Sequence, residues 1–221
     1  MFESVYFTHP GYVRKSNEDS FFIDDKNCIW LVCDGMGGHN DGSFASHLIT
    51  DLFEELVLTN SFSQNVEIIQ NQLLKAHQLL QKQIRKTNTT IGTTVVLLYI
   101  YENRAVCFHC GDSRCYSYTN SLKCHTKDHS KLLNGKKVLT SAISAPSKSF
   151  ILEKSSFYID EINRFLLCSD GLYDFINEDT ISYFMKQKEI KKSMDILITS
   201  VLKTKAQDNI TAIIINKVFK L

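Results

Sequence analysis

Five places in the 221-residue chain set an acid at the end of an apolar run or on a turn. Glu18 and Asp19 follow Arg14. Asp34 closes Ile29-Trp30-Leu31-Val32-Cys33 and precedes Gly35-Met36-Gly37-Gly38-His39. Asp112 follows Gly111 after Ala105–Cys110. Asp170 ends Phe165–Ser169 and precedes Gly171, with Asp174 one turn further on. Asp208 opens Asp-Asn-Ile-Thr just before the last apolar run. Acids at successive strand ends can meet on one edge of a sheet. Like charges there raise each other's pKa, so the gathering calls for a cation. Oxygen donors with open water positions suit Mg²⁺ or Mn²⁺. Gly35, Gly37 and Gly38 let the backbone turn with positive φ and let a carbonyl approach an ion. A lone Asp-Gly is ordinarily a surface turn. Its recurrence after apolar runs, beside an Arg and a Gly-Gly-His, points to a shared site.

The elements that must carry these acids are legible from pattern. Val5–Thr8, Ser20–Asp24 and Ile29–Cys33 read as short strands between polar breaks. Ser43 is a candidate N-cap for a helix to about Leu58, and Asn65 for a second to about Lys86, each with an apolar stripe. Thr93–Tyr101 and Ala105–His109 read as a hairpin turning at Glu102-Asn103, and Cys115–Tyr118 with Leu122–Thr126 as another. An irregular stretch follows. Phe150–Tyr158 and Arg164–Cys168 are strand-like. Helices from Asn177 to about Lys188 and from Lys192 to Lys203 precede a closing strand, Ile210–Val218. Strands in clusters, rather than in strict alternation with helices, disfavour a doubly wound parallel sheet and favour an antiparallel sandwich with helices outside.

Composition narrows the function class. The length suits one domain, 1–221. Lys and Arg number 25 against 24 Asp and Glu, so nothing electrostatic favours nucleic acid or a membrane surface. No apolar run nears the ~20 residues a membrane helix needs. Met1–Ser4 carry no basic start of a secretory signal. Seven cysteines, an odd number, in mostly apolar surroundings read as free thiols in a reducing, cytoplasmic setting. Cys107 and Cys110 form a CxxC. On a strand they would face opposite sides, which is awkward for zinc.

In motif order along nearly the whole chain, the sequence resembles the metal-dependent protein phosphatases of the PP2C (PPM) family, bacterial type. Arg14-Lys-Ser-Asn-Glu-Asp19 is similar to its R-x-x-N-E-D element. Asp34-Gly-Met-Gly-Gly-His39 with Gly42, Ala45 and Ser46 is similar to its D-G-M-G-G-H…G-x-x-A-S element. Gly92-Thr-Thr94, Gly111-Asp-Ser-Arg114, Asp128-His-Ser130, Ser169-Asp-Gly-Leu-Tyr-Asp174 and Asp208-Asn-Ile-Thr211 follow. The resemblance implies an α+β fold, a four-layer α-β-β-α sandwich. It implies two Mn²⁺ or Mg²⁺ ions. Asp34 would bridge them, Asp170 and Asp208 would complete the first, and Glu18 with the Gly35 carbonyl would hold the second. Asp19 would order that ion's waters. Asp112, Asp170 and Asp174 match positions that hold a third ion, Asp174 being open to a plain helix-capping reading. Arg14 would grip the substrate phosphate, and His39 would be the general acid, although a His at such a turn also satisfies helix amides.

The implied activity is hydrolysis of phosphoserine and phosphothreonine in proteins by a metal-activated water, opposing a Ser/Thr kinase. The partners implied are a phosphoprotein, such as the kinase or its targets, with a monomeric enzyme. After Asp128-His-Ser130 the segment Lys131–Val138 is shorter than the family's flap, which suggests an open site and a partner that completes it. Ser144 replaces a usual Gly. A catalytically silent phosphoprotein-binding scaffold, a hydrolase of small phosphate esters and a zinc-bound structural module remain rival readings.

Overall fold

The computed structural model describes residues 1–37, 41–87, 91–144, 150–162 and 164–218. Its strands are β1 (Phe2–His9), β2 (Ser20–Asp24), β3 (Ile29–Cys33), β4 (Gly35–Gly37), β5 (Ile91–Thr93), β6 (Val95–Tyr101), β7 (Arg104–Cys110), β8 (Arg114–Tyr118), β9 (Leu122–Cys124), β10 (Ser130–Leu133), β11 (Lys136–Leu139), β12 (Ile143–Ser144), β13 (Glu153–Tyr158), β14 (Arg164–Cys168) and β15 (Ile210–Lys217). Its helices are α1 (Asp41–Glu54), α2 (Phe62–Thr87), α3 (Asp170–Tyr173), α4 (Glu178–Met185) and α5 (Ile190–Leu202).

Two five-stranded antiparallel sheets form the centre, in the orders β1-β15-β14-β8-β9 and β13-β7-β6-β3-β2. Their inner faces meet through Trp30, Val32, Val96, Leu98, Phe165, Leu167 and Ile213, all buried. A strand's side chains alternate between faces, so the opposite faces are apolar as well. Leu31, Leu97, Tyr99 and Phe108 pack under α1 and α2. Leu166, Ile214 and Ala212 pack under α4 and α5. Helix, sheet, sheet, helix is the expected four-layer α-β-β-α arrangement. Cys107 lies between the sheets and Cys110 on the helix side, so the CxxC splits across the strand as expected. All seven cysteines are free.

Some boundaries differ from the sequence expectation. Helix α1 begins at Asp41, which places Ser43 inside its first turn, where Ser43 Oγ meets His47 Nδ1 at 3.3 Å. Helix α2 begins at Phe62. Asn65 lies within it and reaches back, accepting from the Thr59 amide and donating to the buried Tyr99 hydroxyl. The strand expected over Thr93–Tyr101 is broken at Thr94, whose amide bonds Asp34 O instead of continuing a ladder. Asn177 does cap α4, accepting from the Thr180 amide at 2.9 Å.

The stretch read as irregular is a hairpin. Strands β10 and β11 pair from Ser130↔Leu139 to Leu133↔Lys136 around Asn134-Gly135. Both turn residues have positive φ, 51° and 75°, the requirement of a type I′ two-residue turn and the reason Asn-Gly suits it. The shortened flap is therefore an ordered element, not a gap. The turn after Ser144 lies outside the described residues.

Candidate active site

The strand ends deliver the acids to one edge of the sandwich. Asp34 follows β3, where its amide donates to Thr94 Oγ1 and its carbonyl accepts from the Thr94 amide and Thr93 Oγ1, all within 3.0 Å. Asp112 follows β7, Asp170 starts α3 directly after β14, and Asp174 ends that helix. Asp208 stands two residues before β15. Glu18 is brought in by the loop between β1 and β2. That loop is tied to β15 by Asn209, whose Oδ1 accepts from the Glu18 amide (2.8 Å) and whose Nδ2 donates to the Pro10 and Ser16 carbonyls (2.9 Å each).

Gly35 and Gly42 make the approach possible. A Cβ on Gly35 would stand 2.2 Å from Gly42 O and 2.5 Å from Glu18 O, and one on Gly42 would stand 2.3 Å from Glu18 Oε2. The Glu18 loop, β4 and α1 can close together only without side chains there.

The result is a cleft of about 760 Å³ lined by Arg14, Glu18, Asp34, Gly35, Asp112, Asp170, Asp174 and Asp208. Asp19 lies behind it, buried, accepting from Ser169 Oγ at 2.8 Å. His39 lies outside the described residues. Two side chains that sequence reasoning passed over also belong here. Asn209 is the clamp just described. Lys137, from β11, points its ammonium at Asp112 (2.8 Å), Asp170 (3.3 Å) and Asp174 (3.4 Å). The Asn-Gly turn would have revealed the hairpin, but nothing local marks Lys137.

The electrostatics are those of acids held without enough cation. Burial, followed by repulsion from Asp19, Asp170, Asp112 and Asp208, holds the Asp34 carboxyl well above its usual range. Burial likewise pushes up Asp112, Asp170 and Asp174, against the pull of Lys137. Asp19 rises to about 7, chiefly from burial, although Thr211 and Ser169 hydrogen bonds oppose the shift. Arg14 is committed to Asp208 through a two-pronged contact. Asp19 Oδ1 is buried with no hydrogen-bond partner among the described residues. An orphaned carboxylate oxygen behind mutually repelling acids is what a site built for divalent cations and their waters presents. The donor set, oxygen throughout, fits Mg²⁺ or Mn²⁺.

A second grouping, His109, His129 and Glu153, has ligand atoms within 4.8 Å of one another. His129 Nδ1 accepts from the Gly111 amide at 3.3 Å, which leaves its hydrogen on Nε2, facing Glu153 Oε1 at 3.2 Å. A nitrogen that carries a hydrogen has no lone pair for an ion. This trio is a His–Glu packing contact.

A four-layer sandwich with a cleft of converging acids at one edge defines a metal-dependent phosphatase. The chain belongs to the protein phosphatase 2C family, whose model matches residues 12–210. It is 30% identical to a putative protein phosphatase of Mycoplasma genitalium, over 93% of this chain and 92% of that one. It is 29% identical to the serine/threonine phosphatase stp of Listeria welshimeri, over 95% of this chain and 94% of the relative. Among solved structures, PppA of Pseudomonas aeruginosa superposes with a TM-score of 0.90 at 28% identity, covering 97% of each chain.

Proposed function

We propose that this chain removes phosphate from phosphoserine and phosphothreonine of a protein substrate, using two Mn²⁺ or Mg²⁺ ions at the cleft. The observation that carries this reading is the convergence of Glu18, Asp34, Asp170 and Asp208 from four separate chain segments on one cleft that also holds Arg14. Asp34, between the other acids, would bridge the ions. Asp170 and Asp208 would serve one, and Glu18 with the Gly35 carbonyl the other. Asp19 would accept from waters at its free oxygen. Asp112, Asp170 and Asp174 form the position for a third ion in the family pattern, and Lys137 stands in it here. When bound, the ions supply Lewis-acid charge and a water acidic enough to attack phosphorus near neutral pH.

The chain's own groups account for the rest. Arg14 carries a planar fork of donors suited to two phosphoryl oxygens. It now spends that fork on Asp208. Were Asp208 to hold a cation, the Arg14 guanidinium would be free to turn its donors to a phosphoryl group. His39 would return a proton to the leaving Ser or Thr oxygen. The six acids that line the cleft would repel an anionic substrate, and cations held among them would offset that repulsion. The similarity to a named serine/threonine phosphatase supports a phosphoprotein substrate, set by an opposing kinase. The seven free thiols support a reducing, cytoplasmic site of action. Among the described residues no helix is long and apolar enough to cross a membrane. We take 1–221 as one catalytic domain acting as a monomer.

The test is turnover of phosphoserine and phosphothreonine peptides against phosphorylated metabolites, with and without Mn²⁺ or Mg²⁺, in wild type and Asp34→Asn. Metal-dependent release from peptides, lost in the variant, is expected. Metal binding without turnover would instead favour a phosphoprotein-binding scaffold, and preference for metabolites a small-ester hydrolase.

A further inference from the structure

Three acids that the family pattern assigns to a third ion converge here on a side chain of the same molecule. We propose that the Lys137 ammonium stands permanently in for that third ion and, by doing so, latches the β10–β11 hairpin onto the catalytic edge. The expectation of a metal at those acids rests on the phosphatase reading; the lysine contacts do not.

The geometry satisfies an ammonium. Lys137 Nζ lies 2.8 Å from Asp112 Oδ2 and 2.8 Å from the Tyr173 hydroxyl, with Asp170 Oδ2 and Asp174 Oδ2 at 3.3 and 3.4 Å. Three N–H donors therefore serve two short contacts and one shared between the two remaining carboxylates. The site is set up around it. Tyr173 donates its hydroxyl hydrogen to Asp112 O at 2.7 Å, leaving its lone pairs for the lysine. The Arg114 guanidinium, 3.6 Å over the ring and paired with Asp128, holds Tyr173 in place. The Lys137 side chain is 28% exposed.

The hairpin has little else to hold it. Among the described residues, Lys137 makes its only side-chain hydrogen bonds to the rest of the protein. The register then matters. In β11, Lys137 and Leu139 share the face toward the cleft, and the Asn134-Gly135 turn fixes that register, so a one-residue slip would turn Lys137 away. A tethered ammonium cannot diffuse off, and a divalent ion can enter only by displacing it from Asp112 and its partners. The chain would thus bind two exchangeable ions, with the third charge built in and independent of metal supply.

Mn²⁺ stoichiometry and affinity, read by calorimetry and by electron paramagnetic resonance, would be compared in wild type, Lys137→Gln and Lys137→Arg. Amide exchange over residues 130–139 would be followed in metal-free protein. Two ions in wild type are expected. Lys137→Gln should gain a third site at least about tenfold tighter than any weak third event in wild type, because a like charge has left the position. The same variant should exchange faster through the hairpin, and Lys137→Arg should keep the wild-type pattern on both counts. A third ion bound equally by wild type and Lys137→Gln, or hairpin exchange unchanged by the substitution, overturns the proposal. Failure of wild type to bind any Mn²⁺ would strike the phosphatase reading instead, and the exchange comparison would still decide the latch.

Discussion

Arg14 and Asp208 face each other through two parallel contacts, Nε to Oδ1 at 2.9 Å and Nη2 to Oδ2 at 2.8 Å. A cation expected to grip phosphate and an acid expected to hold metal therefore face one another in the free cleft. More than half of the Arg14 side chain is exposed, so the pair contributes little to folding, at most about 1 kcal/mol. Function should respond far more. Arg14→Ala is expected to leave the melting temperature nearly unchanged while lowering kcat/KM on a phosphopeptide by about a hundredfold, since a donor set aimed at the phosphoryl oxygens is gone. Arg14→Lys should recover only part of the loss, because a point charge cannot make the forked contact. A melting point lowered by many degrees, with kcat/KM retained, would contradict the assignment.

The raised acids make the metal-free protein sensitive to pH in an unusual direction. Asp19 titrates near 7 in the fold against an ordinary value of 3.8, and burial pushes Asp34, Asp112 and Asp170 up as well. An acid whose folded pKa is raised binds its proton more tightly folded than unfolded. Its stabilising effect is complete below about 4 and disappears as pH climbs through the folded value. Chelated protein should accordingly lose stability between about pH 4 and pH 7, by on the order of a few kcal/mol. Mn²⁺ or Mg²⁺ should restore it, more at pH 7.5 than at pH 5, because metal needs the ionised carboxylates. Thermal melts of chelated and metal-loaded protein across this range check the sign. A melting temperature that rises with pH in chelator would count against the acid cluster.

Asp34, Asp112 and Asp170 were legible because each comes at or just after the end of an apolar run, and a buried strand fixes where its last residue emerges; Asp208 was legible because it stands just before one. Strands β2 and β3 matched the expected limits for the same reason, being short, apolar and bounded by polar turns. Helix starts were less legible. Ser43 and Asn65 look like caps, yet α1 and α2 begin earlier, and Asn65 spends its amide on Tyr99, 34 residues away. Helix α3, four residues long, spans barely one turn and so shows no repeating pattern that could announce it. The β10–β11 hairpin carried a local signal in Asn134-Gly135, obscured by comparison with a longer flap. Lys137 carried none, since its role depends on strand register and on acids up to 37 residues distant.

Asn209 is the clamp on the Arg14 loop, with three bonds from one buried amide group. Asn209→Ala would leave the Glu18 amide and the Pro10 and Ser16 carbonyls without those partners. A loss of about 1–3 kcal/mol is expected from groups left unsatisfied away from water. Arg14 and Glu18 would also lose their fixed positions, so KM for phosphopeptide and the Mn²⁺ affinity should both worsen. Chemical denaturation together with metal titration reads both. Asn209→Asp should not rescue, because it cannot donate to two carbonyls.

Gly35 is where the backbone has least room. A methyl group there would lie within 2.6 Å of the Gly42 carbonyl group and of Glu18 O, which are main-chain atoms of two other segments. Neither can swing aside as a side-chain tip could. Gly35→Ala must push α1 and the Glu18 loop away from β4, and overpacking of this kind costs about 1–3 kcal/mol. The same displacement separates Glu18 and the Gly35 carbonyl from Asp34, so the variant should bind one Mn²⁺ fewer than wild type even where it remains folded. Gly135→Ala serves as the control, since no heavy atom lies within 4 Å of its Cβ position and only the positive φ of 75° is strained. It should lose a little stability and keep both ions. Equal ion counts in wild type and a folded Gly35→Ala would show that the close approach of β4 to Glu18 does not build the second metal position.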